Sequence, residues 1–216
     1  MKAIIIGGGI GGLCSAIALQ RCGIETEVFE AVKAIKPVGA AISIWPNGVK
    51  CLNYLGMKEQ LRALGGPMHF MAYQEYLHGQ TLTRFSLDPL ITSVGERPYP
   101  VARAELQAML LDTYGRDQVR FGKRVSGIEE TPQGVTAWFE DGSQASGDFL
   151  IAADGTHSAI RPYVLGHGVD RRYAGYVNWN GLVTIDESIA PADQWTTFVG
   201  EGKRVSLMPV SGNRFY

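Results

Sequence analysis

Three glycines and one glutamate near the start of the chain have the types and spacing to hold a dinucleotide. Gly7, Gly9 and Gly12 fill the pattern G-x-G-x-x-G. Glu30 follows about 20 residues later, where a carboxylate accepts hydrogen bonds from a ribose diol. Gly7 permits a tight turn, Gly9 leaves room for a pyrophosphate against the backbone, and Gly12 lets a helix lie close to a strand. The helix that starts here offers unpaired N–H groups and a partial positive charge to phosphates. Taken alone, these residues also describe a glycine-rich turn with a solvated glutamate. Asp154-Gly155 ends an apolar stretch, Arg103 stands at a strand-to-helix junction, and Ser43 lies in the short apolar run Ala40 to Trp45. A strand-end carboxylate faces the ligand side of an open α/β sheet. By itself, though, a junction arginine reads as a surface charge and a loop hydroxyl as a local backbone partner. None of the 4 histidines, His69, His78, His157 and His167, falls in a recognisable dyad or triad.

The elements that must position these groups follow from pattern. Lys2 to Ile6 is β-branched and apolar, as in a buried parallel strand. Leu13 to Arg21 has helical composition, and Ile24 to Glu30 is a second strand. With strand, glycine turn, helix, second strand and terminal acid in order, the dinucleotide reading outweighs the simple turn. Residues 31–41 read as a loop marked by Pro37 and Gly39, and helices are expected from Pro46 to a stop at Gly56 and over Lys58 to Leu64. Phe70 to Tyr73 and Thr81 to Phe85 suggest a hairpin across His78-Gly79-Gln80. Asp88 to Pro100, with three prolines, reads as a loop, and Ala104 to Tyr114 as a helix with Leu106, Met109, Leu110 and Thr113 at helical spacing. Strands follow at Val119 to Phe121, Arg124 to Ile128 and Val135 to Phe139, with a hairpin turn at Asp141-Gly142. A buried parallel strand is expected within Gly147 to Gly155. Tyr176 to Val183, Trp195 to Val199, Arg204 to Met208 and Arg214 to Tyr216 read as four strands of one antiparallel sheet.

This order predicts an α/β fold class. A Rossmann-like dinucleotide-binding domain would use residues 1–67 and 98–170. A β-rich (α+β) substrate domain would use residues 68–97 and 171–216, and the pattern stops at Tyr216 inside an apolar strand, so that domain reads as truncated. The length of 216 residues is ample for a core. With 20 basic and 21 acidic residues the net charge is −1, which leaves no electrostatic footprint for nucleic acid. No stretch is apolar enough to span a bilayer, and the N-terminus enters a strand at once, so neither a membrane nor a signal peptide is expected. The 3 cysteines, Cys14, Cys22 and Cys51, lack metal-ligand spacing. They read as reduced, buried thiols of a cytoplasmic protein with no metal site.

Gly7-x-Gly9-x-x-Gly12 with Glu30, the Arg103-Ala104-Glu105-Leu106 step and the Asp154-Gly155 segment, in that order, resemble the FAD-dependent aromatic monooxygenases of the para-hydroxybenzoate hydroxylase type. The segments Ala41 to Gly48 and Tyr176 to Gly181, and the strand starting at Arg204, are similar to bacterial members of that family that hydroxylate urate. The resemblance implies FAD as cofactor, NADH as electron donor, and conversion of urate and O₂ to 5-hydroxyisourate in purine catabolism. It implies that Gly7, Gly9, Gly11 and Gly12 hold the pyrophosphate and Glu30 the ribose, with Ala31 beside it. Ser43, Arg103 and Val125 would line the FAD site, and Asp154 and Gly155 would touch FAD and the nicotinamide donor. Asn178 and Arg204 would bind the substrate, and Arg204 and Tyr216 would activate it. The residue types suit those tasks. Oxygen activated on a reduced flavin is electrophilic, and the urate anion is electron-rich. Arginine makes bidentate hydrogen bonds to planar anions, asparagine both donates and accepts, and a phenol can do either.

Family members run well beyond this length and carry a second Gly-Asp segment, which Gly147-Asp148 does not replace because it precedes Asp154-Gly155. A complementary C-terminal segment or self-association is therefore expected to cover open edges. Two other readings stay open: a flavin monooxygenase of another hydroxylated aromatic acid, and a non-catalytic dinucleotide-binding fragment that needs a partner. A nicotinamide-only dehydrogenase leaves Arg103 and Asp154-Gly155 unexplained.

Overall fold

The structure, a computed structural model, describes residues 1–35 and 41–216. The Pro37 and Gly39 loop markers and Ala40 lie outside the described residues. In chain order come β1 (Lys2–Ile6), α1 (Ile10–Arg21), β2 (Glu25–Glu30), β3 (Ala41–Ile44), α2 (Pro46–Tyr54) and α3 (Lys58–Leu64). Next are β4 (Phe70–Glu75), β5 (Thr81–Ser86), α4 (Asp88–Val94), β6 (Tyr99–Ala102) and α5 (Arg103–Tyr114). Then follow β7 (Val119–Phe121), β8 (Val125–Thr131), β9 (Gly134–Phe139), β10 (Gln144–Gly147), β11 (Phe149–Ala152) and α6 (Arg161–Leu165). The last are β12 (Gln194–Gly200), β13 (Lys203–Leu207), β14 (Pro209–Val210) and β15 (Arg214–Phe215). The chain forms two compact units, residues 1–36 with 107–177 and residues 37–106 with 178–216.

The first unit is built on a parallel sheet of order β11-β1-β2-β7. Ala3, Ile4, Ile5 and Ile6 of β1 are all buried, as suits an unbroken apolar run inside a parallel sheet. Each such isoleucine contributes about 1.5–3 kcal/mol by leaving water. The antiparallel meander β10-β9-β8 packs on this sheet through Ala137, Phe139 and Ala145, which join Ile4, Ile6, Phe29 and Ile160 in one cluster. The rings of Phe29 and Phe139 stack with centroids 4.7 Å apart. The expected single strand from Gly147 to Gly155 is broken at Asp148. Its backbone N–H donates to the Lys2 carbonyl, and its carboxylate accepts from the Lys2 N–H, which ends β10 and starts β11. β11 lies at an edge of the described sheet and is half-buried rather than buried, since β1 flanks it on one side only.

The second unit holds a mixed sheet of order β13-β12-β4-β5. The hairpin over β4 and β5 forms as expected and β12 pairs antiparallel with β13, but β12 also joins β4 in parallel and β14 and β15 stand outside this sheet, so the four expected strands do not make one antiparallel sheet. Residues 176–182 form no strand, and Val183 makes only a bridge to Phe215. The aromatic alternation of Tyr176 to Val183 mimics a strand, yet Trp179 is 91% exposed, with no sheet face to cover it. β14 and β15 pair with each other. Asp88 to Pro100 is not a loop. Pro89 lies in the first turn of α4, where its fixed φ suits a helix start, and Gly95 ends the helix in the left-handed region. Residues 41–67 and 98–106, expected with the flavin-binding portion, cluster in this unit, where β3 pairs with β6. The cysteine expectation is corrected as well: Cys14 is half-buried, and Cys22 and Cys51 are exposed.

Candidate functional site

The glycine turn of the first unit is specified by backbone shape. Gly7 takes a φ of 111°, and a Cβ there would run into the Ala153 carbonyl. A Cβ on Gly12 would collide with the Gly7 carbonyl. These two glycines therefore bring the Asp154 segment and the start of α1 against the turn. Gly9 and Gly11 are different, because a Cβ on either meets nothing within 4 Å. Their open side is a cradle into which a ligand can settle on the backbone. Gly9 caps α1 without any side-chain hydrogen bond, and the first turn carries no acid. The first N–H groups of the helix and its dipole thus remain available to an anion.

Glu30 is aimed at this turn from the end of β2. One carboxylate oxygen accepts the Gly8 N–H at 2.8 Å and the other the Val32 N–H at 2.9 Å. Each oxygen keeps a further acceptor site, enough for a diol. Ala31 follows at the half-buried end of the strand. Sequence reasoning missed Gln107. Its side chain is 8% exposed, and its amide donates 2.9 Å to the Gly8 carbonyl. Gly8 is therefore held at both its N–H and its carbonyl. The signal was readable: Gln107 is a polar residue on the α5 face that also carries the buried Leu110, Leu111 and Tyr114.

Asp154 accepts the N–H groups of Ala159 and Ile160 at 2.8 and 3.3 Å through one oxygen. It closes the turn before α6, and its other oxygen accepts nothing among the described residues. Gly155 has a φ of 80° and open space around it. Val125 begins β8 and packs against the Phe29 and Phe139 cluster. In the second unit, the Ser43 hydroxyl is buried without a hydrogen-bond partner. Its register partner on β6 is Pro100, which has no N–H to give. Arg103 is exposed at the first position of α5. In the first unit, an open glycine cradle, an uncapped helix start and a carboxylate with spare acceptor sites suit a dinucleotide such as FAD.

The residues expected to serve a substrate all lie in the second unit. Arg204, on β13, is exposed and has no ion-pair or hydrogen-bond partner among the described residues. It lines a pocket of about 300 Å³ with Glu75, Tyr76, Leu77, Phe198 and Val205. Tyr216 packs against the cluster of Met68, Leu87 and Met208. Its hydroxyl donates 2.5 Å to the Asn180 side-chain oxygen. Asn178 is exposed on the same segment. No hydrogen bond joins Arg204 to Asn178 or Tyr216. Among the described residues there is no group of His, Cys, Asp and Glu fit to hold a metal, and no helix is long and apolar enough to cross a membrane.

The profile of the FAD binding domain family matches residues 1–214, and the chain belongs to that family. The chain is 68% identical over 216 residues to the FAD-dependent urate hydroxylase of Klebsiella oxytoca, covering all of this chain and 56% of that protein. It superposes on the crystal structure of Klebsiella pneumoniae HpxO complexed with FAD and uric acid with a TM-score of 0.97 at 65% identity. That match covers all of this chain and 55% of the other. A 3-amino-4-hydroxybenzoate 2-monooxygenase from Streptomyces cremeus is 31% identical over 217 residues, covering 99% of this chain and 55% of its own. The chain thus spans little more than half the length of the relatives it matches.

Proposed function

We propose that this chain is the flavin- and substrate-binding part of a FAD-dependent monooxygenase that hydroxylates urate to 5-hydroxyisourate, a step of purine catabolism, in the cytoplasm. The observation that carries the reading is the match to the Klebsiella urate hydroxylases along every residue of the chain. Bound FAD supplies the redox chemistry, with NADH as electron donor and O₂ as oxidant.

The chain's own residues bind and orient. Gly7, Gly9, Gly11 and Gly12 hold the pyrophosphate at the start of α1, Glu30 takes the ribose diol, and Ala31 lies beside it. Val125, Asp154 and Gly155 contact the cofactor in the first unit, and Ser43 and Arg103 carry the same assignment in the second. The unpartnered Arg204 guanidinium is free to grip a planar anion through two parallel hydrogen bonds. Asn178 matches a purine edge with one donor and one acceptor, and Tyr216 activates the bound anion.

The test is oxygen uptake by the FAD-loaded, full-length protein. The expected outcome is uptake that requires both urate and NADH and falls with NADPH. A chain that consumes oxygen with a hydroxylated aromatic acid but not with urate would replace the substrate, since Arg204 suits a carboxylate equally well. Arg204→Leu is expected to raise KM for urate at least tenfold while leaving retained FAD unchanged.

A further inference from the structure

A phenol can give or take a hydrogen bond, and which one Tyr216 does at the substrate depends on what else holds its proton. The geometry points to Asn180 as the positioning residue that settles this, an inference that rests on the substrate reading above. Phe215 exchanges both backbone hydrogen bonds with Val183, at 2.7 and 2.9 Å. Tyr216 exchanges both with Met208, at 2.8 and 2.9 Å. These four bonds fix the Tyr216 backbone beside the segment that carries Asn180. The hydroxyl then donates to the Asn180 side-chain oxygen at 2.5 Å. With its one proton committed there, the phenol oxygen can only accept from a third group. A substrate with a ring N–H, such as a purine-type anion, supplies that donor. Asn180 thus makes Tyr216 an acceptor that draws on the substrate N–H and leaves more electron density on the ring. Asn180 itself touches Tyr216 and acts through it.

The experiment is a double-mutant cycle in the FAD-loaded, full-length protein, read as kcat and KM for urate. Asn180→Leu is expected to lower kcat about tenfold with KM changed less than about threefold. In a Tyr216→Phe background the same change is expected to cost less than about twofold. Asn180→Asp, whose carboxylate can only accept, is expected to stay within about threefold of the parent. Equal losses from Asn180→Leu in both backgrounds, or no loss in the parent, overturn the proposal. A reading without substrate separates the two levels. The Asn180 side-chain amide signal in NMR, identified by its absence from Asn180→Leu, is expected to move on Tyr216→Phe. If it does not move, the pairing is wrong whatever the substrate. If it moves while the parent takes up no oxygen with urate, the urate reading fails and the pairing stands.

Discussion

Two tight turns, one in each unit, each have a glutamate on backbone N–H groups but differ in how much depends on backbone shape. The ends of the turn from Gly7 to Gly12 are set by shape, since no side chain at Gly7 or Gly12 would fit between the backbones that meet there, while Glu30 and Gln107 pin Gly8 between them. The turn from Glu75 to Gln80 is held by charge. The Glu75 carboxylate accepts the Leu77 and His78 N–H groups, each at 2.6 Å, and Gly79 completes the turn with a φ of 67°. A close approach of two backbones is intolerant of substitution whatever the pH. A turn made by a carboxylate tolerates substitution and depends on its ionisation.

The largest effect expected from this contrast is at Gly12. Gly12→Val places a branched side chain against the Gly7 carbonyl and the Ile5 side chain. Part of the clash is with backbone, so the helix must move away from β1. We expect a loss of stability beyond about 4 kcal/mol and no retained FAD after desalting. Thermal melts and the flavin absorption spectrum check both. A variant that melts like the parent and keeps its flavin would show that the close approach of α1 is not what shapes the turn.

Gln107→Leu probes the same turn more gently. It removes the donor to the Gly8 carbonyl without adding bulk, leaving a buried acceptor unpaired at a cost of about 1–3 kcal/mol. FAD affinity, read by flavin fluorescence, is expected to fall while the fold remains. Equal affinity in parent and variant would mean that Glu30 alone holds Gly8 in place.

The same contrast explains what was legible in the sequence. Gly7, Gly9, Gly12 and Glu30 work through local backbone and one neighbouring strand, so their spacing carries the geometry almost whole. The helices at Pro46 and Lys58 and the strand at Lys2 were readable for the same reason. Elements defined by distant pairing were not. Nothing in Trp195 to Val199 says that β12 will lie parallel to β4, and nothing in Tyr176 to Val183 says that one bridge will be all it makes. Asp88 to Val94 was hidden by a proline that starts a helix as readily as it marks a loop. Within each unit, the contacts of Gln107 with Gly8 and of Asn180 with Tyr216 join residues far apart in the chain, which only the fold brings together.

The smallest effect lies in the second turn, and its sign follows from the carboxylate. The Leu77 and then the His78 N–H groups hold the Glu75 carboxyl below its ordinary value. A depressed carboxyl contributes stability that is present above the unfolded value, about 4.3, and lost as pH falls through the folded one. Glu75→Gln keeps the side-chain shape and one acceptor but removes the charge. At neutral pH the variant is therefore expected to melt slightly below the parent. On acidification the gap should close, because the parent loses by protonation what the variant already lacks. Gly12→Val should show no such closure, since a steric conflict does not titrate. Melting curves of both variants and the parent at neutral pH and near pH 3 make the comparison. A Glu75→Gln gap that persists in acid would show that this turn too is held by shape, with Gly79 rather than the carboxylate setting its course.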